Sequence, residues 1–261
     1  MRRILLAAVA VAMLGMPLAL RAQTADEAKN AQQARVALDA MVQALGGQTW
    51  LDLKSQMRQG HVAAFFQGKP SGGTTKYWEF HVWPDKDRIE YTAHRDVLQF
   101  YIGRQGWEVT YRGKKELPQE QVDDYMRRRA HSIETAVKVW LKDPKTILIY
   151  EGQHLAERHL AEQVTLISVE NEAVTILMDK QTHLPLRRSF EWRDPLYKDK
   201  NLDAEEYDDY HPVGGFPTPF TTTRFKNGDM ISQRYLDHAT YNEELAADFW
   251  SVDAADRRIK K

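Results

Sequence analysis

The chain contains no cysteine. That absence excludes disulfide staples, thiol catalysis and cysteine-based zinc sites. It also leaves nothing to lipidate behind an export signal in the manner of bacterial lipoproteins. Charge of one sign is not in excess either: 36 Lys and Arg face 37 Asp and Glu, a formal net charge of −1. Field-driven nucleic-acid binding is therefore not expected. Past the N-terminus no apolar run is long enough to span a membrane. No Gly-x-Ser-x-Gly elbow, P-loop or dinucleotide fingerprint occurs. His154 and His159 are five apart, which does not suit a helical metal pair. Asp203, Glu205, Glu206, Asp208 and Asp209 gather near His211, but such an acidic loop is usually just solvated. The expectation is a non-enzyme with no metal site and no cofactor.

What is present begins with an export signal. Arg2 and Arg3 precede "ILLAAVAVAMLGMPLALRA", and the run breaks at Gly15 and Pro17. A basic start, a short apolar stretch and small residues near Ala22 read as a signal peptide over 1–22. Residues 23–30, "QTADEAKN", read as a loose leader, 31–252 as one domain, and 253–261 as a frayed basic tail. Export without an anchor predicts a soluble protein of the periplasm.

The domain opens on an amphipathic helix, "ARVALDAMVQALGG", with Val36, Ala40, Met41, Ala44 and Leu45 at helical spacing. Strand patterns then run to residue 112. In "TKYWEFHVWP", Trp78, Phe80 and Val82 alternate with Tyr77, Glu79 and His81. In "GWEVTYRG", Trp107, Val109 and Tyr111 share a face. Residues 118–142 read as helical, with Val122, Tyr125, Met126, Ile133, Ala136, Val137 and Trp140 in the apolar stripe. "MRRRAH" interrupts that stripe; its three arginines read as a solvated side, or as a patch that steers toward anionic head groups.

Strands resume at "TILIYEG", with "HLAERHL" read as a connection. "VTILMDKQTHLPLRRSFEW" follows as two alternating runs around a turn, Val174, Ile176 and Met178 in the first, Leu186, Phe190 and Trp192 in the second. Asn227-Gly228 is a hairpin signal, and "NEELAADFW" reads as a short closing helix. The predicted fold class is α+β, mainly antiparallel β. It is a strongly curved half-barrel sheet of about eleven strands, with helices over its concave apolar face.

This order of pieces resembles the LolA-type periplasmic lipoprotein carriers, the LolB-type receptors and their outer-membrane lipoprotein-sorting relatives. The resemblance is carried by "FHVWPDKDRIEY", "GRQGWEVTYRG", "IYEGQHLAERHLAEQVTLIS", "MDKQTHLPLRRSF", "DYHPVGGFPTPFTTTRFKNGD" and "YNEELAADFW". It covers most of 34–250. It implies a half-open barrel with a helical lid over an apolar cavity that accommodates acyl chains. The carriers use a strand arginine to hold the lid shut; Arg88 lies near the corresponding strands and is given no role. The receptors carry a lipidated cysteine that this chain lacks.

The expected function is a soluble periplasmic carrier or chaperone for lipid or lipoprotein acyl chains, in transient contact with the membrane. An envelope-stress sensing or protein-interaction module that uses the same groove for an envelope protein partner is the alternative. The expected cavity wall is Trp78, Phe80, Val82, Trp107, Val109, Tyr111, Phe190 and Trp192 from strands, with Val122, Met126 and Ile133 from the lid. Each of these is more often plain core than wall, so a cavity needs space that the helices leave unfilled. On this reading Phe80→Asp weakens acyl binding.

Overall fold

The computed structural model describes residues 18–156 and 159–260. The expected signal peptide lies outside the described residues as far as position 17. The leader is not a loose segment: it belongs to α1, Leu18–Leu45. Asn30 docks it, donating from Nδ2 to the Tyr150 carbonyl at 2.7 Å and accepting from the Tyr150 amide at 2.8 Å.

A short α2, Gly47–Leu51, follows α1. Seven strands come next: β1 Ser55–Phe66, β2 Lys69–Pro70, β3 Thr75–Val82, β4 Lys86–Tyr91, β5 Val97–Ile102, β6 Gln105–Thr110 and β7 Gly113–Glu116. Two helices interrupt the strands, α3 Gln119–Ala130 and α4 Ile133–Lys138, with a 3₁₀ turn at Trp140–Lys142. Ser132 separates them and caps α4, its Oγ accepting from the Thr135 amide. Then come β8 Ile147–Ala156, β9 His159–Ile167, β10 Ala173–Asp179, β11 Pro185–Arg193, β12 Lys200–Val213, β13 Phe216–Lys226 and β14 Asp229–Tyr241. The helix α5, Val252–Ile259, is the last element of the described residues.

The sheet has fourteen strands in the order β7-β6-β5-β4-β3-β1-β14-β13-β12-β11-β10-β9-β8, with β2 paired to the end of β1. All pairings are antiparallel, and the sheet is unclosed and curved, a half-barrel. The strands exceed the expected eleven through the short β2 and β7 among others, and β8 and β9 run further than expected, their ends His154–Ala156 and His159–Leu160 pairing where a connection was read. The turns follow their chemistry. Asn227 and Gly228 both take positive φ, 54° and 89°, as a tight hairpin needs. In the β10–β11 turn the Asp179 carboxylate accepts from the Gln181 amide, the Thr182 amide and the Thr182 hydroxyl.

The helices α1 to α4 cover the inner face. Its larger core joins Leu38, Met41, Trp50, Ala136, Ile176 and Phe190, among others, all buried. A smaller core sets Val122, Tyr125 and Met126 of α3 against Ile89 and Tyr101. On α1 the buried stripe is Ala34, Ala37, Leu38, Met41, Val42 and Leu45; the expected Val36 is 58% exposed. Met41 and Leu45 are buried as expected, while the rest of the stripe lies to one side of Val36, Ala40 and Ala44.

The closing segment also differs from expectation. Residues 242–250 are non-helical, and the supposed frayed tail is α5, capped by Ser251. Its Ala255 packs on Leu98, Phe100 and Val109, which belong to the outer face of the sheet.

Candidate functional site

Cross-strand partners in an antiparallel sheet share a face. The register therefore sorts the expected wall residues. Phe80 pairs with Arg88, Arg88 with Phe100, and Phe100 with Trp107. Trp78, Phe80, Val82, Trp107 and Val109 thus lie on the outer face, away from the helices. There Phe80 meets Phe249 edge-on at 4.7 Å, and Val109 is buried under α5. Tyr111 stands in a turn, 73% exposed. Val122, Met126, Ile133, Phe190 and Trp192 do lie between sheet and helices. The eleven residues therefore do not form one wall. Alternation assigns residues to two faces; it does not say which face the helices choose.

Arg88 belongs to the outer cluster. Its Nη1 donates to the Phe249 carbonyl at 2.5 Å, its guanidinium sits 4.1 Å from the Phe249 ring centre, and it pairs with buried Glu90. It ties down the C-terminal segment rather than a lid.

Between the two inner cores the middle strands present charge. Arg188 of β11, Glu205 of β12 and Arg224 of β13 are direct cross-strand neighbours, and Arg58 of β1 faces Glu79 of β3. Alternating signs across neighbouring strands stabilise such a row. Arg188 reaches Glu205 at 3.2 Å, and the Tyr207 hydroxyl donates to the same carboxylate at 2.9 Å. Arg234 places Nη1 at 3.1 and 3.0 Å from the two Glu79 oxygens. The arginines of "MRRRAH" turn toward this region instead of toward solvent. Arg129 donates to Asp87 at 2.9 Å, Arg128 bonds Asp124, and Arg127 stacks 3.6 Å over the Trp192 ring centre. Short-range pairing and ring contact outweigh hydration for all three, which are about four-fifths buried.

Burial works to raise the Glu205 carboxyl, but Arg188 and Arg224 outweigh it and hold the group at about 2. The Arg234 guanidinium is raised, chiefly by Glu79. The Arg128 guanidinium is pushed down to about 9, first by burial and then by the like charge of Arg224.

The helices leave space over these side chains. One chamber of about 160 Å³ is lined by the arginines 58, 128, 129, 188, 224 and 234, with Glu79, Asp87, Glu134 and Glu205. A second, of about 100 Å³, sets Leu45, Trp50, Tyr207, Tyr210, Pro219 and Tyr241 on its wall beside polar and charged residues. Each far exceeds the roughly 10–15 Å³ that one water needs. The two share Gln56, Arg58, Ser132, Glu134 and Glu205, so they abut beneath the α3–α4 turn. The expected uniformly apolar cavity is thus replaced by a charged chamber beside an aromatic one. Sequence reading missed Arg58, Arg188, Arg224 and Arg234, and it took Asp203 and Glu205 for a solvated acidic loop where they lie in β12 with side chains mostly out of water. Their signal was charge on the same face of neighbouring strands, which only the register exposes. Among the described residues no cluster of three or more His, Asp or Glu is placed to hold a metal ion.

The half-barrel has solved counterparts. A DUF1329 family protein from Desulfovibrio piger superposes with a TM-score of 0.59 at 11% identity, over 85% of this chain and 98% of that one. The fold is LolA-like. A putative outer membrane lipoprotein-sorting protein domain from Vibrio parahaemolyticus gives a TM-score of 0.53 at 10% identity, over 86% of this chain and 100% of the other. A LolA superfamily protein from Nitrosomonas europaea gives 0.51 at 11% identity, over 85% and 98%. No protein-family model matches the chain, and no curated protein matches it. At these identities the likeness speaks for the LolA-like fold alone.

Proposed function

We propose that this LolA-like protein is a periplasmic carrier that holds an amphiphile, a lipid or the acylated end of a lipoprotein, between its sheet and its helices. The observation that carries this reading is the pair of abutting chambers, one charged and one aromatic, under the α3–α4 turn. Each CH₂ moved from water into the aromatic chamber contributes roughly 0.8 kcal/mol. A longer chain requires α3 and α4 to lift, and the capped break at Ser132 is where they part. Export is supported by the N-terminal signal pattern. No described helix is long and apolar enough to cross a membrane.

The test is solvent extraction of the purified protein followed by mass spectrometry. A stoichiometric amphiphile is expected. Protein that carries none, and that fails to take up a fluorescent fatty acid, removes this reading. A stoichiometric protein partner bound while the chambers stay free of lipid would favour the interaction module instead.

A further inference from the structure

We infer that the larger chamber receives the anionic head of the amphiphile, a carboxylate or phosphate, between Arg58, Arg224 and Arg188. This rests on the reading that the two chambers hold one ligand. The chamber lining carries six arginines against four carboxylates, Glu79, Asp87, Glu134 and Glu205. Arg234, Arg188 and Arg129 already hold Glu79, Glu205 and Asp87. Arg128 is engaged by Asp124, which lies outside the lining.

Arg58 and Arg224 remain. Arg58 donates from Nη2 to Gln56 Oε1 at 3.2 Å, while its Nε is buried with no partner. The Arg224 side chain makes no hydrogen bond to any described residue; an Asp203 oxygen lies 3.8 Å from its Nη2, beyond hydrogen-bond reach. Arg188 is 96% buried, and its Nη1 likewise has no partner. A guanidinium in the chamber lining without a hydrogen-bonded carboxylate, as at Arg224, is best satisfied by a bidentate oxyanion.

The aromatic chamber fixes the other end. It shares Arg58 and Glu205 with the charged one, so a head held at Arg58 points its chain toward Trp50, Tyr207 and Tyr241. The ligand is then a single-chain anionic amphiphile or the equivalent part of a larger lipid.

Calorimetric titration of the delipidated full chain with decanoate, decyl phosphate, decanol and inorganic phosphate tests this. Decanoate and decyl phosphate are expected to bind at least about tenfold more tightly than decanol. Arg224→Gln and Arg58→Gln should each remove about tenfold for the anionic amphiphiles and leave decanol unchanged. Arg224→Lys, which keeps the charge, guards against a fold defect and should lose less than Arg224→Gln. Decanol that binds as tightly as decanoate overturns the head-group assignment while the carrier reading stands. Inorganic phosphate that binds as tightly as decyl phosphate supports the anion site and overturns the carrier reading. Binding of none of the four overturns both.

Discussion

Strands β3–β6 and strands β9–β11 carry the same kind of alternation, yet their apolar sets end on opposite sides of the sheet. In β9–β11 the set Val164, Ile176 and Phe190 faces inward and is sealed by α1 and α4. In β3–β6 the set Phe80, Phe100 and Val109 faces outward and is sealed by Phe249 and α5. The inward residues of β3 and β4 instead mix charge with aromatics, Tyr77, Glu79 and His81 on β3 and Asp87, Ile89 and Tyr91 on β4, with α3 over part of them. An apolar face has to be covered, but either side of a sheet can be the covered one. Here the C-terminal segment takes the outer side of the N-terminal strands. Their inner side is thereby released to carry charge, and the arginine-lined chamber sits there.

The largest effect is expected where the inner core is densest. Phe190 is 3% exposed and stacks on His131 at 4.2 Å. Phe190→Ala should cost about 4 kcal/mol of unfolding free energy in urea. A cost near that of a surface substitution would mean that the main core does not lie under α1 and α4.

Next comes the charged middle. Glu205→Gln leaves Arg188 without its ion-pair partner and should cost about 3 kcal/mol at neutral pH. The sign of the pH dependence follows from the depressed carboxyl. Glu205 sits at about 2, below its ordinary 4.5, so its contribution is complete above pH 4.5 and is lost as pH falls toward 2. Urea midpoints of the native chain should fall across that window, and more steeply than those of Glu205→Gln. Equal slopes would break the link between this row of charges and stability.

The smallest effect is expected on the outer side. Phe249 is only half-buried, and its carbonyl and ring both contact Arg88. Phe249→Ala should cost about 2 kcal/mol and speed amide exchange in β4–β6 while leaving exchange in β9–β11 unchanged. Loosening of β9–β11 instead would show that the two sides are not sealed separately. The same geometry reverses an expectation of the sequence. Phe80→Asp is predicted to disturb this outer seal, because Phe80 lies on the face away from both chambers.

Some of this was legible in residue order. The alternation of Val174, Ile176 and Met178, the Asn227-Gly228 turn and the helix after Pro118 all appear where the pattern puts them. Each depends on neighbours two to four positions apart. Other features depend on partners far away. "HLAERHL" reads as a connection because its residues take strand form only as the facing ends of β8 and β9, each supported by the other. "MRRRAH" reads as a solvated face because nothing nearby announces Asp87, 42 positions before Arg129. Tail residues 253–259 read as frayed because their apolar support, Leu98 and Phe100, lies more than a hundred residues upstream.

The sequence by itself determined the class of the fold. Period-two runs, turn residues and one helical block leave few ways to bury the apolar area other than a large curved antiparallel sheet with helices on one face. Tertiary structure alone decided what fills the hollow. Register sets arginines and carboxylates of separate strands side by side, and the C-terminal segment claims the outer aromatics. A face left without an apolar cover can then hold charge around an open space, which no local pattern records.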